Sequence, residues 1–266
     1  MLGISTALRS EVSSSGIEII EAILDLGVKQ VELEYRISAA MLKEILPFWR
    51  RGEISVNSVH NFLPKPEVIP AGAASIPDFF ALSSPDEENR GLALKYGKRT
   101  LEWAEELGAK AVVLHLGKMP MGDVMVQLKK LYDEKKIKTP EGQAYIHEQK
   151  AIRTEKGAAY LQGALRSLDV LAREADRRKV FLGLECRYNL IDFPNLEEFK
   201  ALFREFSASP VRYWHDVGHA TTQENLGLTK QKDFLENFGH LLVGTHLHGC
   251  VGYHDHEAPG KNFFEA

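Results

Sequence analysis

Ten histidines occur in the 266-residue chain, and seven of them (His215, His219, His240, His246, His248, His254 and His256) lie after residue 214. Histidine both ligates metal ions and moves protons near neutral pH, so the C-terminal fifth is where chemistry is expected. Reading each predicted strand to its last residue extends the pattern forward. Ile54–Val59 is followed by His60, Ala111–Leu114 by His115 and Phe181–Leu184 by Glu185. Tyr213–His215 is followed by Asp216, and Val243–Thr245 by His246. A lone histidine at a strand end is commonly a hydrogen-bonded cap, and a lone buried glutamate an ion-pair partner. Five such residues in succession, at the same place on the same face, form a candidate ligand set. Imidazole and carboxylate together suit zinc, manganese, iron or cobalt better than calcium. One to three divalent ions are expected, zinc or manganese first.

Two further clusters strengthen the reading. Asp216-Val-Gly-His219 places a glycine where the backbone must turn for both side chains to face one pocket. His246-Leu-His248 sets two imidazoles on one face of a strand, and His254-Asp-His256-Glu offers another dense donor set in a glycine- and proline-bearing loop. Trp214 alternates inward with Asp216 and could stack on a substrate, although a core role is the plainer one. Arg187 and Lys118 follow strand ends, as Lys65 and Lys261 sit in nearby loops, and any of them could hold an anionic group. With His248, Trp214, Arg187 and Lys118 are the candidate substrate contacts.

The elements that must position these residues are legible from periodicity. Leu2–Ser5, Gln30–Tyr35, Ile54–His60, Lys110–Leu116, Val180–Glu185, Val211–Asp216 and Leu242–His248 read as strands, the fourth nearly continuous in apolar residues as expected when both sheet faces are covered. Between them lie amphipathic segments. Ser15-Gly-Ile-Glu18 reads as a capping box and Gly27 as a left-handed stop. Ser38 caps the next helix, and Ser84-Pro-Asp-Glu87 opens another. A loop holding Pro64, Pro66, Pro70 and Pro77 is too long for a simple connection. Residues 118–158 carry nine Lys/Arg against six Asp/Glu and no clear strand. They read as a mostly helical insertion leading into a helix that ends near Arg178. Strand and helix alternate throughout, which calls for a parallel sheet. No Gly-x-Gly-x-x-Gly or Gly-Lys-Ser/Thr loop follows the first strand, so a TIM (β/α)8-type barrel is favoured over an open doubly wound sheet. Residues 1–266 are expected to form one such domain, with the eighth strand missing or supplied otherwise.

Composition sets the outer bounds. Lys and Arg total 33 against 37 Asp and Glu, and 44% of residues are hydrophobic. This is an ordinary globular balance. Only Cys186 and Cys250 are present, which excludes a disulfide framework and fits a reducing, cytoplasmic setting. No apolar run reaches the ~18 residues of a membrane span. The mild acidity, with no interleaving of basic and aromatic residues, argues against nucleic acid as a partner.

In combination these segments resemble a known family. Ser58-Val-His60-Asn-Phe, Val113-Leu-His115-Leu-Gly117, Gly183-Leu-Glu185, His215-Asp216-Val-Gly-His219-Ala, Thr245-His246-Leu-His248 and His254-Asp-His256-Glu-Ala-Pro-Gly260 are similar, in that order, to the xylose isomerase-like TIM-barrel superfamily. It holds sugar isomerases and epimerases and also endonuclease IV. The resemblance implies that Glu185, Asp216 and His246 are the core metal ligands. It implies that His60 and His115 bind a second ion shared through Glu185, and that His219, His254 and His256 match the ligands of a third. The family usually has aspartate where His254 stands, which makes Asp255 a substitute or leaves the third site lost. The family's last core ligand, a glutamate ending strand eight, has no match, and Glu265 lies too close to Gly260 to be that residue. An eighth strand beyond this chain, a partner or water would replace it.

The expected function is a divalent-metal-dependent isomerase or epimerase acting on a small sugar or polyol-like substrate through a metal-stabilised enediolate. His60, His115 or Glu185 would be the base. The alternative is a multinuclear zinc phosphodiesterase similar to endonuclease IV, favoured by the extra histidines. A third reading is a non-catalytic, metal-bound interaction protein. An open barrel would leave two strand edges unpaired, a liability that a second copy of the chain could cover.

Overall fold

In the computed structural model, residues 2–68 and 79–258 are described. Pro70, Pro77, Pro259, Gly260, Lys261 and Glu265 lie outside them. The chain runs β1 (Ile4–Ser5), α1 (Ala7–Ser10), α2 (Gly16–Asp25), β2 (Gln30–Leu33), α3 (Ala39–Arg50), β3 (Ser55–His60), α4 (Glu87–Leu107) and β4 (Ala111–Leu114). After a short β5 (Gly117–Lys118) come α5 (Val124–Asp133), α6 (Pro140–Arg178), β6 (Phe181–Glu185), β7 (Asp192–Phe193) and α7 (Leu196–Glu205). The last part is β8 (Val211–Asp216), α8 (Val217–Asn225), α9 (Gln231–Phe238), β9 (Leu242–His246) and a hairpin of β10 (Gly249–Val251) and β11 (His254–Glu257).

Seven parallel strands form one sheet in the order β1-β2-β3-β4-β6-β8-β9. They curl into an incomplete TIM barrel surrounded by helices. Alternation decides which residues face where. Val31, Leu33, Val59, Val112, Leu114, Leu182, Leu184, Val211 and Tyr213 join the main core beneath the helices. The alternate positions point to the inside of the curl, where Ala111, Val113 and Trp214 pack with Val243 in a small second cluster. Above that floor the inner face turns polar. Among the described residues, β1 and β9 are sheet edges with no strand beyond them. The segment after β9 folds back as an antiparallel hairpin instead of an eighth parallel strand.

Local signals explain the helix starts, with two revisions. Ser15 accepts from the Glu18 backbone N–H as expected, but the reciprocal bond is absent. Glu18 takes the Ser13 hydroxyl, and Glu44, from α3, accepts from the Gly16 N–H instead. The helix expected from Ser84 begins two residues later. Asp86 is the cap, accepting from Asn89 N–H at 2.7 Å, and Ser84 Oγ accepts from Asp86 N–H; a carboxylate at the N-terminus also favours the helix dipole. The true reciprocal box lies at Asn195 and Glu198.

Residues 118–158 comprise part of β5, all of α5 and the first half of the 39-residue α6. The fully buried Arg153 ties this stretch to the barrel. Its guanidinium donates to both Glu198 oxygens at 2.8 Å and to the Leu190 and Asp192 carbonyls. A buried charge held by four bonds is compensated. No helix among the described residues is long and apolar enough to cross a membrane.

Candidate metal centre

Three groups of donor atoms converge at the C-terminal ends of the strands: His60, His115 and Glu185; Glu185, Asp216 and His246; and His219, His248 and His256. Within each, the ligand atoms lie within 4.8 Å of one another. Strand register creates this proximity. In the first two groups each residue ends or directly follows one of the adjacent parallel strands β3, β4, β6, β8 and β9, the position at which barrel enzymes assemble their sites, whereas His219 lies on α8, His248 just past β9 and His256 on the hairpin strand β11.

Glu185, at the end of β6, is 1% exposed and divides its oxygens between two groups. Oε1 lies 2.5 Å from His246 Nδ1. Oε2 lies 2.5 Å from His115 Nε2 and 3.8 Å from His60 Nε2. Asp216 also divides its oxygens. Oδ1 caps α8 by accepting from the His219 N–H at 2.7 Å, leaving Oδ2 to face His248 at 3.0 Å and His246 at 3.5 Å. Gly218 makes room for this, because a Cβ there would sit 2.1 Å from the His248 ring. Likewise a Cβ at Gly244 would meet Trp214 at 2.1 Å, and that indole packs edge-on against His246.

Burial opposes ionisation of Glu185, but the charges and hydrogen bonds of His115 and His246 hold its carboxyl well below the usual range. The Asp216 carboxyl is also lowered: burial opposes, and His219, His246 and His248 prevail. His246 moves the other way. Burial would lower it, yet Glu32 and Glu185 push it well above the ordinary imidazole value. His115 is held well below that value by burial and the adjacent Arg187 guanidinium, whose Nη1 lies 2.6 Å from His115 Nε2 and 3.4 Å from Glu185 Oε2. His60 Nδ1 faces its neighbour's carbonyl, Asn61 O, at 3.1 Å. A carbonyl only accepts, so that nitrogen carries a proton, and Nε2 is the nitrogen turned to the site.

The donor chemistry fits divalent ions. Buried carboxylates need compensating charge, and mixed imidazole–carboxylate sets are typical ligands of zinc-like metals. In the third group, buried His219 Nε2 and Asp255 Oδ2 face each other at 3.3 Å, and neither makes a hydrogen bond. His219 Nδ1 is occupied by the Cys186 carbonyl at 3.0 Å. His256 joins them, with Nδ1 at 3.0 Å from Asp255. His254 does not. Its side chain lies against Tyr253, and Asp255 takes the place beside His219; the left-handed φ of 60° at His256 interrupts the alternation of β11, so its ring is not carried away with that of His254.

Of the candidate substrate contacts, His248 and Arg187 stand within the clusters. Trp214, 6% exposed, lies in the barrel floor beneath His246. Lys118 lines a separate cleft with Ala81, Ser84, Met119 and Tyr160.

The sequence reading missed Glu32. It sits mid-strand on β2, 7% exposed, with both carboxylate oxygens 3.1 Å from His246 Nε2. The signal was available in Gln30-Val-Glu-Leu: if Val31 and Leu33 face the helices, Glu32 faces the barrel interior. Reading only strand ends passed over it.

The comparisons agree with this architecture. No curated protein sequence matches. Among solved structures, a D-tagatose 3-epimerase-like protein superposes with a TM-score of 0.60 at 19% identity, over 95% of this chain and 77% of that one. A 3-keto-D-glucoside 4-epimerase from E. coli gives 0.59 at 16% identity, over 89% and 75%. A D-allulose 3-epimerase from Methylomonas sp. gives 0.60 at 13%, over 92% and 71%. At such identities the likeness is one of fold. The family model described as "Xylose isomerase-like TIM barrel" matches residues 20–265, and the chain belongs to that family.

Proposed function

We propose that this protein is a divalent-metal-dependent isomerase or epimerase of a small sugar or polyol-like substrate. The observation that carries the reading is the division of Glu185. One oxygen faces Asp216 and His246, a set suited to one ion. The other faces His115, against which the Arg187 guanidinium is already packed. A fixed cation thus stands where a hydrolase of the multinuclear kind would need a second ion. The epimerase names among the structural neighbours support the same choice.

Glu185, Asp216 and His246 would hold the ion, zinc or manganese. When bound, it supplies Lewis-acid polarisation of a substrate carbonyl and its neighbouring hydroxyl. The chain's own residues do the rest. His60 and His115 take the proton from the carbon beside the carbonyl and return one to it. His60 is suited by its inward-facing Nε2, His115 by an imidazole whose charged form is disfavoured by burial and Arg187. Arg187 directs its charge at the side of the site where negative charge develops on substrate oxygen.

The endonuclease IV-like alternative has one observation of its own, the His219, His248 and His256 group with Asp255 beside it. Metal retention tests the histidine ligation common to both readings. Imidazole must be neutral to ligate, so bound metal should be lost as the pH is lowered, the sooner because Glu32 and Glu185 favour the protonated His246. Dialysis at about pH 5 and about pH 8, followed by elemental analysis, checks it; equal retention would count against histidine ligands. Counting ions per chain separates the readings, one for isomerase chemistry and two or three for hydrolysis.

A further inference from the structure

We infer that Glu32 is the positioning residue of the central site: it fixes the tautomer and ring orientation of His246, so that His246 ligates through Nδ1. The inference rests on the metal reading above and extends it to a residue outside the ligand set.

The geometry is specific. His246 turns Nδ1 towards Glu185 Oε1 at 2.5 Å and Asp216 Oδ2 at 3.5 Å. Its other nitrogen, Nε2, meets both oxygens of Glu32 at 3.1 Å. An ionised carboxylate accepts and cannot donate, so Nε2 carries a proton towards Glu32; Nδ1, which faces Glu185 and Asp216, is then the nitrogen that would give up its proton to take the ion. Glu32 stands on the far side of the ring from Glu185 and Asp216, and therefore acts through His246. Its own position is fixed in turn. Ser5 and Ser58 occupy the register positions either side of it on β1 and β3. Their hydroxyls donate to Oε1 at 3.1 Å and to Oε2 at 2.8 Å. A row of three residues on adjacent strands thus holds one carboxylate at the height of the His246 ring. Ligating imidazoles need such partners, whose loss typically costs about 10–100-fold in affinity. His246 sits on the edge strand β9, which pairs with β8 on one side and, among the described residues, with no strand on the other. Glu32 braces the ring from across the open curl.

The experiment uses cobalt(II) alone as probe, with affinity measured by chelator competition for the full chain and for Glu32→Gln, Glu32→Ala and Ser58→Ala. Glu32→Ala should weaken binding about 10–100-fold. Glu32→Gln should fall between it and the wild type, because the amide oxygen still accepts from Nε2–H but lacks the charge. Ser58→Ala should show a smaller loss in the same direction. Thermal melting of each chain with chelator present keeps folding defects apart from affinity. Long-range proton–nitrogen correlation spectra of the zinc-loaded, 15N-histidine-labelled wild type should show His246 bound through Nδ1 with Nε2 protonated. Unchanged cobalt affinity in Glu32→Ala, or His246 ligation through Nε2, would overturn the inference while leaving the metal reading intact. A wild-type chain that binds no cobalt would overturn both.

Discussion

Glu185→Gln should leave the protein folded but unable to retain a central ion or to turn over substrate. Glu185 is the one carboxylate common to two donor groups, facing His246 with Oε1 and His115 with Oε2. An amide keeps the shape but loses the charge, and its NH2 would point a donor at one of the two groups. Affinity should fall by more than the ~100-fold that loss of a mere outer partner can cost. Folding should survive because the residue lies on the polar inner face, away from Leu182 and Leu184, which pack into the core. Elemental analysis of protein purified without chelator, beside circular dichroism, checks both halves. A variant carrying a full complement of metal would remove Glu185 from the ligand set.

His115→Ala should have the second largest effect, with a different signature. Turnover should drop by roughly 10²–10⁴-fold, the range for loss of a general acid–base group, while the ion held by Glu185, Asp216 and His246 remains. Burial and Arg187 keep this imidazole well below its ordinary pKa, which suits it to the role of base proposed above and not to that of a fixed charge. The guanidinium 2.6 Å from its Nε2 disfavours a divalent cation at the same nitrogen. If the hydrolytic alternative holds, the same substitution should instead remove a metal together with activity, because His60 and His115 would be ligands with Glu185. The metal count of this single variant therefore distinguishes the two chemistries.

Much of the site was legible because strand phase is a strong constraint. Once Ala111–Leu114 and Phe181–Glu185 are read as parallel strands of one sheet, His115 and Glu185 must end up as neighbours, and they do. Asp216 and His246 follow by the same register, paired directly across β8 and β9. The barrel and its open edge follow from counting strands. What the sequence hid depends on contacts between distant segments or on a fine choice of phase. Glu32 is 214 residues from His246, and nothing local marks it as more than one acid in an alternating strand. In the 254–257 strand a shift of one residue decides whether His254 or Asp255 faces inward, and alternation alone does not set which. Arg153, one of nine basic residues in the 118–158 stretch, is fully buried because Glu198, 45 residues on, returns to meet it. The capping at Ser15 was half visible: the hydroxyl bond is local, but Glu44, the partner of the Gly16 N–H, comes from the next helix.

The most direct test of the central claim is solvent isotope incorporation. Metal-loaded protein would be incubated in D2O with a panel of ketoses and aldoses that includes D-tagatose and D-allulose, and the sugars followed by NMR. Deprotonation at carbon exchanges that proton with solvent, so deuterium should appear beside the carbonyl of at least one sugar, and the label should vanish with Glu185→Gln. Cleavage of a phosphodiester such as bis(p-nitrophenyl) phosphate by the same preparation, with no deuterium in any sugar and a metal lost in His115→Ala, would contradict the isomerase account and leave the multinuclear hydrolase in its place.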